Sequence, residues 1–169
     1  FQTTYLNERY YEYKILSQDH RLVWVLRNPY SVVYSMVYNW KRFALNELYQ
    51  ACCVAAMSGT KRSTLPWPLG PSSFEKACEA YAAKTAQIMT IRALVPAAQL
   101  LVIDYDALVR DPHVWLGRIF AFIGSPYQPA YASAIRPNSL EKAARLTTRH
   151  QSLIRAIAEP TYRECLKIL

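Results

Sequence analysis

Arg27 and Ser35 are the residues whose types and spacing suit joint chemistry. A guanidinium presents a planar fork of N–H donors that matches phosphate oxygens, and a serine hydroxyl two helical turns further on adds a neutral hydrogen bond. Such a pair suits the capture of a phosphate. A plainer role is open to the same residues: Arg27 pairs with a carboxylate at a sheet edge, and Ser31 and Ser35 are solvated helix positions.

The elements around them decide whether the two converge. Leu22, Val23, Trp24, Val25 and Leu26 form an unbroken apolar run, short enough for a strand buried on both faces, as in a parallel sheet. The run stops at Arg27. Asn28 is suited to cap free backbone N–H groups and Pro29 to the first helical position, so a helix is predicted to follow at once. Val33, Met36, Val37 and Trp40 fall on one apolar stripe of it, while Ser31 and Ser35 share another face. Open α/β sheets bind ligands beyond the carboxyl ends of their strands, where helix N-termini offer N–H groups to anions. Arg27 stands at such an end.

A second stretch has the same form. Leu100 to Ile103 reads as another apolar strand, ending in Asp104-Tyr105-Asp106 at the same carboxyl edge if the sheet is parallel. Asp111 then caps, and Pro112 opens, a helix through Trp115, Ile119, Phe122 and Ile123 that stops at Gly124.

The segment from His20 to Phe43 resembles the second nucleotide-binding motif of sulfotransferases that use 3′-phosphoadenosine 5′-phosphosulfate (PAPS). In that motif an arginine after a strand and a serine eight residues later hold the 3′-phosphate, and Arg27 and Ser35 have that spacing. This chain reads RNPYSVVYS, with Tyr30-Ser31 where the family commonly has an aspartate. The stretch YDALVRDPHVWLGRIFAFIG resembles the family's tyrosine-acid-acid-leucine, Asp-Pro, helix and Leu-Gly succession, with Asp106 for the glutamate and Ala107 for the second acid. The resemblance puts Tyr105 near the adenine, with a hydroxyl closing a buried hydrogen bond as its alternative role. It also implies a basic loop closing the 3′-phosphate site in the tail. The Arg-Lys-Gly string usual there is absent, and Arg136 takes that place by position, against a solvated surface role.

The resemblance implies an α/β fold, a parallel sheet flanked by helices of the P-loop nucleotide-binding-like type, with residues 1–169 as one domain. It implies PAPS as donor and a hydroxyl or amine acceptor on a small molecule or glycan. A phosphosulfate loop of the type Pro-Arg/Lys-Ser-Gly-Thr-Thr should precede Arg27, with its own strand, and neither is in the sequence, so the fold is expected to be incomplete at its N-terminus. The nearest string, Met57 to Thr64, follows the 3′-phosphate motif and runs into Pro66, Pro68 and Pro71 where a phosphate loop needs a continuing helix. It reads as an exposed basic loop.

Composition is consistent with one globular domain: 169 residues, 52% hydrophobic and 19% charged. A net charge of +8, with 13 arginines against 7 lysines, raises the local concentration of anions, whether nucleotide, acidic glycan or nucleic acid. Two further readings therefore stand beside the first: another P-loop-like nucleotide transferase, and a non-catalytic basic module for acidic glycan or nucleic acid. Strands ending in Arg27 and Tyr105 disfavour the module, which should display its arginines and aromatics on a surface, and no nucleic-acid partner is expected. Cys52, Cys53, Cys78 and Cys165 lack metal-ligand spacing and read as thiols in a reduced, cytoplasmic compartment. No apolar run reaches membrane-span length.

The remaining segments frame this centre. Residues 1–19 read as a helix with a tyrosine-rich face, residues 44–73 as a helical stretch and a proline-rich loop around Trp67, and Ser73 as the cap of a long packing helix with Lys76 at N3. A last helix is predicted from a cap at Thr148 with Gln151 at N3. His20, His113 and His150 do not match the family's base, and no hydrolytic triad or metal cluster is present in the pattern. The catalytic residues are left unassigned.

Overall fold

The structure is a computed structural model that describes residues 20–40, 45–49, 72–135 and 137–169. The expectations for residues 1–19, for the string from Met57 to Thr64, for Trp67, Cys52 and Cys53, and for Arg136 lie outside the described residues.

Two strands, β1 (Leu22–Leu26) and β2 (Leu100–Asp104), pair in parallel with Leu22 opposite Leu100 and Leu26 opposite Asp104. Helix α1 (Pro29–Tyr38) leaves β1 through a turn of two residues, and α2 (Ser73–Leu94) leads back to β2 through a 3₁₀ turn at Ala97–Gln99. After β2 come α3 (Tyr105–Arg110), α4 (Pro112–Ile123), 3₁₀ segments at Pro129–Ala134 and Pro137–Arg145, then α5 (Thr148–Ile157) and α6 (Glu159–Leu166). The parallel pair and its flanking helices make the mixed α/β arrangement expected from the two apolar runs.

Helix α2 is the spine. At about 1.5 Å per residue its 22 residues span about 33 Å, long enough to serve two apolar clusters. Phe74, Ala77, Cys78 and Tyr81 pack with Val33 and Met36 of α1 and Ile154 of α5. Further along, Ile88, Ile91 and Val95 pack beneath Leu26 and Val102 of the sheet, with Cys165 of α6 closing the cluster. The strands differ from the expectation of burial on both faces. Val25 is 44% exposed, because Leu22, Trp24 and Leu26 face the α2 side and Val25, between them, points to the other face.

Caps account for most helix boundaries. Asn28 Oδ1 accepts from Tyr30 N at 2.9 Å with Pro29 at N1, and Asp111 Oδ1 accepts from Val114 N at 3.4 Å with Pro112 at N1, both as the sequence predicts. Two caps move by one residue. Helix α2 is capped by Ser72: its Oγ accepts from Glu75 N at 3.2 Å while Glu75 Oε2 accepts from Ser72 N at 2.7 Å. This reciprocal box satisfies two orphan donors, which Ser73 with Lys76 cannot do. Likewise Thr147, not Thr148, caps α5, accepting from His150 N at 3.3 Å.

Helix α4 ends at Gly124 in the left-handed region, with φ of 75°. The Arg21 guanidinium donates to Phe122 O there, covering a last-turn carbonyl. Helix α4, predicted through Trp115, Ile119, Phe122 and Ile123, has no fully buried residue.

Candidate functional site

The site lies where β1 and β2 end. Leu26 pairs with Asp104, and the next residues, Arg27 and Tyr105, meet face to face: the guanidinium carbon stands 4.4 Å from the centroid of the Tyr105 ring. Because the strands are parallel and neighbouring, residues that follow each of them leave the sheet at the same edge. A guanidinium over a phenol face is held by the ring quadrupole and keeps its in-plane donors directed outward.

Arg27 is fixed at its backbone as well. The buried phenol of Tyr81, on α2, donates to Arg27 O at 2.5 Å, and burial pushes the Tyr81 hydroxyl far up, so it stays a donor. Arg27 Nε is buried and has no hydrogen-bond partner among the described residues. A buried donor left unpaired costs about 1–3 kcal/mol, and an acceptor arriving at this edge would remove that cost.

Ser35 lies in the second turn of α1, seven residues beyond the cap at Asn28. It is therefore about 10 Å along the helix axis from the cap and nearly in line with it. Its Oγ accepts from Lys142 Nζ at 2.9 Å, a contact across 107 residues of sequence. Lys142 comes from the 3₁₀ segment Pro137–Arg145, which packs on α1. The tail thus does supply a basic residue to this helix. Arg136, the residue predicted for that place, lies outside the described residues.

Two carboxylates complete the strand ends. Asp104 caps α3, its Oδ1 accepting from Asp106 N at 3.2 Å and from the Tyr162 phenol at 3.2 Å. Asp106 is buried, and desolvation first, then the neighbouring Asp104, raises its pKa, against Arg110, a hydrogen bond from Asn28, and Arg27. Tyr30, which stands where the family commonly has an acid, donates its phenol to Glu159 Oε2 at 2.7 Å and ties the start of α1 to the start of α6. That bond is the main cause of the lowered Glu159 pKa.

Sequence reasoning therefore picked out Arg27, Tyr105 and Ser35, and the structure brings Arg27 to Tyr105 and Ser35 to Lys142. It did not single out Lys142, Tyr81 or Asp106. Only Asp106 carried a signal, in the tyrosine-acid pair after the second strand. Of the histidines, His113 Nδ1 is hydrogen-bonded to the Tyr127 hydroxyl at 2.7 Å and His150 stacks on Phe74 with centroids 4.0 Å apart. No group of three or more metal-ligating side chains exists among the described residues, and none of their helices is long and apolar enough to cross a membrane.

The model of the sulfotransferase family matches residues 16–129, more than half of the chain, a span that includes Arg27, Ser35 and Tyr105. Among solved structures the chain is similar to a "Sulfotransferase Domain from the Curacin Biosynthetic Pathway", at 19% identity and a TM-score of 0.48 over 75% of this chain. It spans 38% of the length of that structure. No curated protein matches the chain.

Proposed function

The chain belongs to the sulfotransferase family, and on that premise we propose that it binds PAPS at the ends of β1 and β2 and serves sulfuryl transfer to a hydroxyl or amine acceptor. Residues 1–169 are read as one sulfotransferase-like domain. The observation that carries the proposal is Arg27: a guanidinium stacked on Tyr105 at a strand end, with a buried Nε that lacks a partner.

On this reading the 3′-phosphate of the nucleotide is the anion these side chains would take. Arg27 would donate to it in a charge-assisted fork, Ser35 would add a hydroxyl, and Lys142, already at Ser35, would add a second positive charge. Tyr105 would stand beside the nucleoside. PAPS, when bound, would supply an activated sulfuryl group for the acceptor oxygen or nitrogen, with adenosine 3′,5′-bisphosphate as the leaving group and the acceptor's proton released. This chain's described residues contribute binding and orientation at the 3′ end of the donor, which is where remote binding energy positions a reacting group.

A basic module for acidic glycan or nucleic acid is less well supported, because Arg27 and Tyr105 are half-buried against each other at strand ends instead of displayed.

Calorimetric titration with adenosine 3′,5′-bisphosphate, beside adenosine 5′-monophosphate, tests the proposal. The bisphosphate is expected to bind more tightly by about tenfold or more, the worth of one charge-assisted hydrogen bond. Arg27→Ala should abolish that preference. Equal binding of the two nucleotides by the wild-type chain, or a preference that survives Arg27→Ala, overturns it.

A further inference from the structure

Helix α6 reaches both strand ends. Glu159 and Tyr162 are three residues apart and so share one face of it. Glu159 Oε2 accepts from the Tyr30 phenol at 2.7 Å, at the head of α1, and the Tyr162 phenol donates to Asp104 Oδ1 at 3.2 Å, at the end of β2. The same Asp104 oxygen accepts from Asp106 N at 3.2 Å and so caps α3. Strand β2, short helix α3 and tail helix α6 therefore meet at one carboxylate oxygen.

Tyr105 is the first residue of α3 and follows Asp104 directly. At six residues α3 falls well short of the roughly 12–15 that hold a helix together unaided, so the direction in which it leaves β2 depends on its cap and its packing. The Tyr162 hydroxyl is the second donor on the capping oxygen and restricts the Asp104 carboxylate to the rotamer that caps. The Tyr162 ring packs against both apolar clusters, so its place does not depend on the bond it makes. Burial first, then the charge of Asp104, pushes its hydroxyl up, and it stays a donor.

The other half of the stack is held in a similar way. Tyr81, on α2, donates to Arg27 O at 2.5 Å. Each member of the Arg27–Tyr105 pair thus has a phenol from a different helix behind it. A cation over a ring is a weak contact and an arginine side chain has many rotamers to lose, so the stack lasts where the ring is held still.

We propose that Tyr162 is a positioning residue of the anion site: its hydrogen bond to Asp104 fixes the cap of α3, and with it the Tyr105 ring on which the Arg27 guanidinium lies. The inference rests on the reading of Arg27 as the phosphate ligand. Tyr162 acts through Asp104 and Tyr105 and not on the ligand.

Tyr162→Phe, made in the full chain, keeps the packed ring and removes the hydroxyl. The first readout needs no ligand: the side-chain Hδ protons of Arg27, shielded by the Tyr105 ring, give an upfield NMR signal, and Tyr105→Leu gives its unshifted position. The second is the affinity for adenosine 3′,5′-bisphosphate. Tyr162→Phe is expected to move the Arg27 signal most of the way to its position in Tyr105→Leu and to bind about three- to tenfold more weakly, the worth of one hydrogen bond. Ile154→Val, which removes one methyl group from the cluster of α1, α2 and α5, should lower the melting temperature and leave both readouts as in wild type. Should Tyr162→Phe fail to fold, Asp104→Ser retains a helix cap on a shorter side chain that the phenol does not reach, and the same movement of the signal is expected.

A folded Tyr162→Phe or Asp104→Ser variant whose Arg27 signal stays at the wild-type position overturns the inference. So does an Ile154→Val variant that moves the signal as far, since general loosening then accounts for the effect. A wild-type chain that shows the shifted Arg27 signal but does not prefer the bisphosphate to adenosine 5′-monophosphate overturns the proposed function and leaves the hold of Tyr162 on the stack standing.

Discussion

Lys142 donates a 2.9 Å hydrogen bond to the hydroxyl of Ser35, joining the segment Pro137–Arg145 to the second turn of α1. Among the described residues no ion pair is formed by Lys142, and on the proposed function its charge would face the 3′-phosphate. Lys142→Met removes the charge and keeps much of the stem. Affinity for adenosine 3′,5′-bisphosphate should fall about tenfold, with that for the 5′-monophosphate unchanged. Titration of both nucleotides checks it, and an equal fall for both would place Lys142 away from the 3′-phosphate.

Tyr81 ties the spine helix to the site through its bond to Arg27 O. Tyr81→Phe fills the same space and leaves that carbonyl without its phenol partner. A loss of about 1–3 kcal/mol is expected in denaturant unfolding. An unfolding curve identical to wild type would show that the bond contributes nothing to stability.

The capping box at the start of α2 carries a pH signature. Hydrogen bonds from Ser72, side chain first and then backbone, with the charge of Arg149 assisting, hold the Glu75 carboxyl below its ordinary 4.5. A carboxyl whose folded pKa is lowered contributes stability that is complete above the unfolded value and is lost as pH falls through the folded one. Solvent screening at this half-exposed site keeps the contribution to about 0.5 kcal/mol or less. Glu75→Gln should therefore melt about 1–2 °C lower than wild type at pH 7, with the gap closing as the pH falls below the ordinary 4.5. Thermal melts at both pH values decide it, and a gap that widens in acid would contradict the assignment.

Gly124 ends α4 at a φ of 75°, and a Cβ there would stand 3.2 Å from Arg21 Nη1. Gly124→Ala meets the left-handed penalty of about 1–2 kcal/mol and also pushes on the arginine that covers Phe122 O. The melting temperature should drop by several degrees. Arg21→Ala in the same background should not add its full single-variant effect, because both changes act on one helix end.

Features confined to consecutive residues were readable in advance. The apolar runs of β1 and β2, the Asn-Pro and Asp-Pro helix starts and the glycine stop of α4 all stand as the sequence predicts. Even the one-residue shift to Ser72 was written in the string, since Ser72 and Glu75 have the spacing of a capping box and Ser73 with Lys76 do not. The exposure of Val25 was not readable, because an apolar run carries the same pattern whether one face or two are covered.

The sequence by itself determined which residue follows each strand and that a serine lies two turns beyond Arg27 on the helix that Asn28 and Pro29 open. Periodicity, caps and strand length are local, so consecutive residues suffice to specify them. Only the tertiary structure decided the partners: Tyr105 under Arg27, Tyr81 behind Arg27 and Lys142 at Ser35. Those contacts depend on strand register and on how α2 and the tail pack against α1. Residues as far apart as Ser35 and Lys142 meet only because burial of apolar faces elsewhere brings their elements together.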